Sequence, residues 1–181
     1  LDENCTQEYD FSDPVLEDLT LYAKWTGIEY NVIFSLNGQT LISYTYFSGE
    51  SVTEYQPDSI TGYTFMGWFQ DRALTLPAVF PYTVGYENKT FYAYFKGNKF
   101  AVKLNSNDGE NGVLTQTFTY DFGDYLYSNI YNRTGYTFKG WALQHSGDVE
   151  YSNEEYIYNI SSADGAEINL YAVWQANSYT I

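Results

Sequence analysis

The sequence predicts a mainly β fold (α+β at most), built from tandem small modules on antiparallel strands. Three observations carry that prediction. Tyr, Phe and Trp make up 20% of the 181 residues, and aromatic enrichment of this kind suits a pleated, half-buried surface better than a helix. Apolar residues recur at alternate positions in several short blocks, which is the period of a strand. The same blocks also return in the same order along the chain, the mark of a repeat architecture.

The closing block of the repeat comes first. Leu19, Leu21, Ala23 and Trp25 alternate with Thr20, Tyr22 and Lys24, so a strand with one core face is expected. Leu21-Tyr22-Ala23-Lys24-Trp25 returns as Phe91-Tyr92-Ala93-Tyr94-Phe95 and as Leu170-Tyr171-Ala172-Val173-Trp174. The opening block follows, with Tyr30, Val32, Phe34 and Leu36 on one face. It returns with Phe100, Val102 and Leu104, and starts once more at Tyr179-Thr180-Ile181. Asn37-Gly38 and Asp108-Gly109 come next, and both dipeptides favour tight turns with positive φ. They lead into second hairpin strands at Leu41 to Tyr46 and Leu114 to Tyr120, with further turns marked by Gly49 and Gly123.

The third block, Thr61 to Trp68, recurs as Thr134 to Trp141. Tyr63 and Phe65 share a face, and strict alternation puts Trp68 on the other. A bulge at Gly67, and at Gly140 in the second copy, would return Trp68 and Trp141 to the core side. No stretch sustains a helical period. A short helical turn near Pro14 to Asp18, or between Asp148 and Tyr158, is the most the pattern allows.

These blocks divide the chain into the closing part of one copy (1–27), complete copies at 28–97 and 98–175, and the opening of a further copy (176–181). Both ends fall inside repeats, so the parent protein is expected to carry more of them. The copies differ in length at the tip of the first hairpin and before the last strand, where exposed connections tolerate insertion. Junctions at Thr26-Gly27 and Gly97-Asn98 are expected to be short and semi-rigid.

Composition removes several function classes. Eight basic residues face 23 acidic ones, a formal charge of −15, and a field of that sign repels phosphate backbones and anionic lipid. Nucleic acid is therefore an unsuitable partner. No run approaches the roughly 18 apolar residues of a membrane span, so this stretch is not expected to insert directly. Cys5 is the single cysteine, which rules out an internal disulfide and a Cys-rich zinc site. His145 is the single histidine, which rules out His-based zinc-hydrolase motifs. Nucleophile-elbow and phosphate-loop patterns are also missing.

Acidic groups are plentiful but not patterned. Asn105, Asn107, Asp108, Glu110 and Asn111 surround Gly109 without EF-hand spacing, and a turn accounts for them. Asp148, Glu150, Glu154 and Glu155 read as a solvated loop. A glycosidase pair would need two carboxylates flanking a cleft, whereas these lie in the variable loops. No enzyme, cofactor or metal is expected. The surplus is in tyrosine, with Tyr125, Tyr127, Tyr131, Tyr156 and Tyr158 outside the shared blocks. Exposed tyrosines suit binding surfaces, so these five are the candidate ligand-binding residues. The alternative is that they cover strand faces and pack between repeats.

Tyr9-Asp10-Phe11-Ser12-Asp13-Pro14-Val15 and Leu19 to Trp25, together with Thr61 to Phe69 and Thr134 to Trp141, resemble the motifs of the Listeria–Bacteroides repeat, or internalin B-type B repeat. The resemblance covers essentially the whole chain. Phe95 stands where that family has Trp, and Asn37-Gly38-Gln39 lacks a second Gly. The resemblance implies a β-grasp-like module of secreted or wall-attached bacterial proteins, extracellular and without enzymatic activity. It implies a stalk or spacer unit of an adhesin that contacts neighbouring repeats of its own chain, with a host or surface protein or a glycan as conceivable partner. The alternative function is a glycan- or host-receptor-binding module that uses the exposed tyrosines.

Overall fold

The computed structural model describes residues 3–180; Ile181, expected in an opening strand, lies outside them with Leu1 and Asp2. Strands run in the order β1 (Glu29–Leu36), β2 (Gln39–Phe47), β3 (Ser51–Val52), β4 (Tyr63–Phe69), β5 (Tyr82–Thr83) and β6 (Lys89–Gly97). They continue as β7 (Lys99–Asn105), β8 (Val113–Thr119), β9 (Asp124–Tyr125), β10 (Tyr136–Ala142), β11 (Tyr156–Ile157) and β12 (Ala166–Ala176). Among the described residues there is no helix, including at the two places where a helical turn was the most allowed. The strand order β2-β1-β6-β4 in the first copy matches β8-β7-β12-β10 in the second. The chain divides into two compact units, one running up to Glu54 with Val79–Phe91, the other comprising Tyr55–Ala78 and the chain from Tyr92 onward.

In the first unit, β1 and β2 form a hairpin closed by Asn37 and Gly38 at φ 50° and 83°. Positive φ at both central residues gives the twist that suits a two-residue hairpin. Val32 and Phe34 point into a core completed by Val52, Val84 and Phe91. The Phe34, Phe80 and Phe91 rings pack within 5.0–6.0 Å of one another, and β3 pairs with β5 beside them.

The closing block at Leu19–Trp25 departs from expectation, because it forms no strand. In the second copy the same motif is β12, held between parallel β7 and antiparallel β10. Residues 3–28 include neither an opening strand nor a Gly-Tyr-Thr-Phe strand, so the backbone groups of this block have no ladder to join. Its apolar face stays open: Leu21 is 43% exposed, whereas its counterpart Leu170 is 0% exposed.

In the second unit, β7 and β8 pair antiparallel, and β12 runs parallel to β7 from Ala166–Phe100 to Tyr171–Asn105. Phe100, Val102, Leu104, Phe118, Leu126, Trp141, Ile157, Leu170 and Ala172 make one buried core. Both expected bulges form. The register of β4 on β6 shifts between Phe65 and Gly67, and that of β10 on β12 between Phe138 and Gly140. Each shift turns its tryptophan inward, leaving Trp68 and Trp141 buried with Phe65 and Phe138 packed edge-on against them. The Asp108-Gly109 dipeptide does not make a tight turn. It sits in a wider loop after the last β7–β8 pair, Asn105–Val113, closed by the Ser106 N–H donating to Gly112 O at 2.8 Å.

Candidate functional site

Sequence reasoning placed a junction at Gly97-Asn98 but gave Asn98 no role. It is the single residue between β6 and β7, it is buried, and each of its polar groups is used. Its N–H donates to Gly62 O at 2.8 Å, and its Oδ1 accepts from the Thr64 hydroxyl at 2.6 Å. Its Nδ2 donates to Ser162 O at 2.8 Å, and its backbone carbonyl accepts from Tyr120 N–H at 2.8 Å. Two of these bonds reach first-copy residues and two reach second-copy residues. A buried amide keeps its place only when such partners exist, so Asn98 ties the start of β4 to the end of β8 within the second unit.

A second contact lies beside it. The Tyr120 ring covers Gly62, where a Cβ would stand 2.2 Å from the ring, and Tyr63 and Tyr120 meet edge-on at 5.8 Å. Asp121, at φ 62°, accepts from the Tyr63 hydroxyl at 2.8 Å, from Tyr158 at 3.1 Å and from Asn159 Nδ2 at 2.6 Å. Its own N–H donates back to Asn159 Oδ1 at 2.6 Å. Bonds from Asn159 first and Tyr63 second hold the Asp121 carboxyl below its ordinary range. The bond to Asp121 raises Tyr63 and Tyr158 above theirs, since ionising the phenol would remove the donated proton.

The five candidate tyrosines separate. Tyr158 is tied to Asp121, and Tyr131 turns inward, donating to Leu104 O at 2.8 Å. Tyr125, Tyr127 and Tyr156 are exposed, and so is Tyr158 despite its bonded hydroxyl. Tyr125 and Tyr156 are directly paired across β9 and β11, their rings 5.3 Å apart. The equivalent pair in the first copy, between β3 and β5, is Ser51 with Thr83. Buried Gln116 fixes this tyrosine strand: its Nε2 donates to Tyr125 O and its Oε1 accepts from Tyr127 N–H, both at 2.8 Å. Asn98 lies outside any apolar period, and Gln116 is a polar residue on the inward face of Leu114 and Phe118, so the apolar pattern passed over both.

His145 lies against the Tyr171 ring at 3.9 Å, with its Nδ1 3.2 Å from Asn107 Oδ1. Cys5 is a free thiol near Tyr22 O. Among the described residues no group of three His, Cys, Asp or Glu side chains converges. Asp108 instead accepts from the Ser106 hydroxyl and the Glu110 N–H within its own loop.

The model of the Listeria-Bacteroides repeat domain matches residues 1–24, 30–94 and 100–173. Two proteins of Evansella cellulosilytica are similar in sequence. One, named as a membrane protein, is 35% identical over 182 residues, and the other, named as a Gly-rich membrane protein, is 31% identical over 183. The matches cover 98% and 99% of this chain but span only 27% and 20% of those proteins. The type 2 repeat of the mucus binding protein MUB from Lactobacillus reuteri covers 82% of this chain, with 99% of its own length matched, at 10% identity and a TM-score of 0.22. That score is too low for a shared arrangement. The family match spans three successive stretches and takes in all three repeat blocks. The chain therefore belongs to the Listeria-Bacteroides repeat family, non-enzymatic repeats of bacterial cell-surface proteins.

Proposed function

We propose that this chain is a spacer that carries tension, with residues 28–97 and 98–175 as its repeating units. The observation that supports this reading is the direction of two neighbouring strands. In the second copy the chain enters through the start of β7 and leaves through the end of β12, and these strands are parallel neighbours. Pulling the chain from its two ends slides one strand along the other, so the backbone bonds from Ala166–Phe100 to Tyr171–Asn105 share the load together. An antiparallel pair pulled from one end would instead open bond by bond. The same mixed order, with a parallel pair at the centre and an irregular crossing segment in place of a helix, supports a β-grasp-like reading of each unit.

Single-molecule force spectroscopy on the full chain tests the proposal. Pulling through residues on either side of the second copy should need a higher force than pulling the β7–β8 hairpin open from its tip. Equal forces in the two geometries would remove the spacer reading.

A second reading is favoured by one observation. The exposed Tyr125–Tyr156 pair replaces Ser51–Thr83 and is held by the Gln116 clamp, so the second copy carries an aromatic face that the first lacks. Such a face fits a glycan or a host protein. A glycan array and a host-protein pull-down, run with the full chain and with Tyr125→Ala and Tyr127→Ala, would detect it. Binding lost in those variants supports this reading, and no binding leaves the spacer alone.

A further inference from the structure

The corner around Asn98 is built twice. At the far end of the second copy, the Asn177 N–H donates to Gly135 O at 2.8 Å and the Thr137 hydroxyl donates to Asn177 Oδ1 at 2.7 Å. These are the bonds Asn98 makes to Gly62 and Thr64, at 2.8 and 2.6 Å. Gly135 has the φ of Gly62, 79° against 78°. One feature differs: the Tyr120 ring lies where a Cβ of Gly62 would stand, whereas the same direction at Gly135 meets nothing within 4 Å. The side chain of Tyr136, counterpart of Tyr63, lies under the Arg133 guanidinium at 3.9 Å rather than against a tyrosine.

The other junction is made differently. Ile28 stands at the position of Asn98, and Ser48-Gly49 at the positions of Tyr120-Asp121, because Phe47 pairs with Glu29 as Thr119 pairs with Lys99. The Phe47 ring lies where a Cβ of Gly27 would stand, 2.7 Å away. That contact is apolar, and Gly49, at the position of Asp121, offers no side-chain acceptor for a tyrosine hydroxyl.

We propose that the Gly135–Tyr136–Thr137–Asn177 corner is a docking surface for a following repeat, and that it selects a repeat whose second strand is followed at once by tyrosine–aspartate, as Tyr120-Asp121 follow β8. The occupant it fits has the chemistry of residues 98–175. The tyrosine ring covers the glycine and the aspartate accepts the hydroxyl of Tyr136; the asparagine Nδ2 exchanges its 3.4 Å bond to the Tyr179 hydroxyl for the newcomer, and its carbonyl turns there too, as those groups of Asn98 turn to Ser162 and Tyr120. A repeat with serine–glycine at those positions, like Ser48-Gly49 of the first copy, supplies neither ring nor acceptor and leaves that hydroxyl unpaired and the corner loosely held. The asparagine corner thus sets which copies couple stiffly. The consequence for stiffness rests on the spacer reading.

Pulsed electron-spin distance measurements test this on the full chain, with Cys5→Ser and labels at Met66→Cys and Lys139→Cys, equivalent exposed sites on β4 and β10. The unchanged joint should give a single narrow distribution. Asn98→Ala and Asp121→Gly should broaden it at least twofold, and Tyr63→Phe, which removes one hydroxyl and keeps the ring, should broaden it less. The full chain is then extended after Asn177 with a second run of residues 99–175, or with residues 29–97, and labelled in the added copy. The first extension should reproduce the narrow distribution, and the second should be broad. A narrow distribution unmoved by all three variants, or equally narrow in both extensions, overturns the selective joint and leaves the spacer standing. A broad distribution in the unchanged chain overturns the joint and the stiffness of the spacer together. Thermal melts of each variant separate a loosened joint from a lost fold.

Discussion

Gly62→Ala and Gly135→Ala form a matched pair, because one motif places both glycines at nearly the same backbone angle, φ 78° and 79°. A residue with a Cβ held in the left-handed region costs about 1–2 kcal/mol, and that cost is common to both sites. What differs is the space. A Cβ at Gly62 would stand 2.2–2.4 Å from three atoms at the base of the Tyr120 ring, while one at Gly135 has nothing within 4 Å. These atoms are close to the Tyr120 backbone, so the ring cannot swing aside without leaving Tyr63. Overpacking of this kind costs about 1–3 kcal/mol, and losing the edge-on Tyr63–Tyr120 pair forfeits about 0.5–1.5 kcal/mol more. Gly135→Ala is therefore expected to destabilise by about 1–2 kcal/mol and Gly62→Ala by about 2.5–6.5 kcal/mol. Urea unfolding with an unchanged m value measures the difference. In a Tyr120→Ala background the excess at Gly62 should vanish, since the two sites then stop interacting. Equal losses at both glycines, or an excess that survives Tyr120→Ala, would refute the packing argument.

The buried tryptophans offer a second pair. Trp68 Nε1 donates to Tyr55 O at 2.8 Å, whereas Trp141 Nε1 is buried without a partner. Trp68→Phe should therefore cost about 1–3 kcal/mol more than Trp141→Phe, and equal melting shifts would contradict this. The Asp121 contacts respond to pH at both ends. Its lowered carboxyl contributes stability above 3.8 that is lost as pH falls through the folded value, while the raised Tyr63 phenol contributes below 10.0 and is lost as pH rises past its folded value. An NMR titration should find the Asp121 midpoint moved upward in Asn159→Ala; an unmoved midpoint would discount the bond. In the leading segment, Phe11 and Trp25 are 84% and 88% exposed in a stretch with no ladder, so chymotrypsin should cut there first. Early cleavage within β7 or β12 would contradict that order.

Pattern and structure agree where the signal is local. The two-residue period set the faces of β1, β7 and β12, and the glycine interrupting Tyr63-Thr64-Phe65 was enough to place a bulge and bury Trp68. Asn37-Gly38 makes its tight turn because both residues tolerate positive φ. Asp108-Gly109, with equal propensity, does not, because Ser106 and Glu110 offer Asp108 bonds within a longer loop. The short β9–β11 pair was missed, since two residues carry no period. Among the tyrosines, sequence could not separate Tyr131 and Tyr158 from Tyr125, Tyr127 and Tyr156, because distant partners at Leu104 and Asp121 decide it.

By itself the sequence determined the repeat, its mainly β character and the core faces of β1, β7 and β12. These follow from residue type and spacing, which fix what a strand can bury. Tertiary structure decided which strands form at all. The Leu-Tyr-Ala motif is a central strand at Leu170 and an open segment at Leu21, because a strand is stable only when its backbone groups meet neighbours on a ladder. It also decided the role of Asn98. A lone asparagine in an apolar-patterned chain has no signal of its own, and its four bonds come from residues as far away as Gly62 and Ser162 that only the fold brings together.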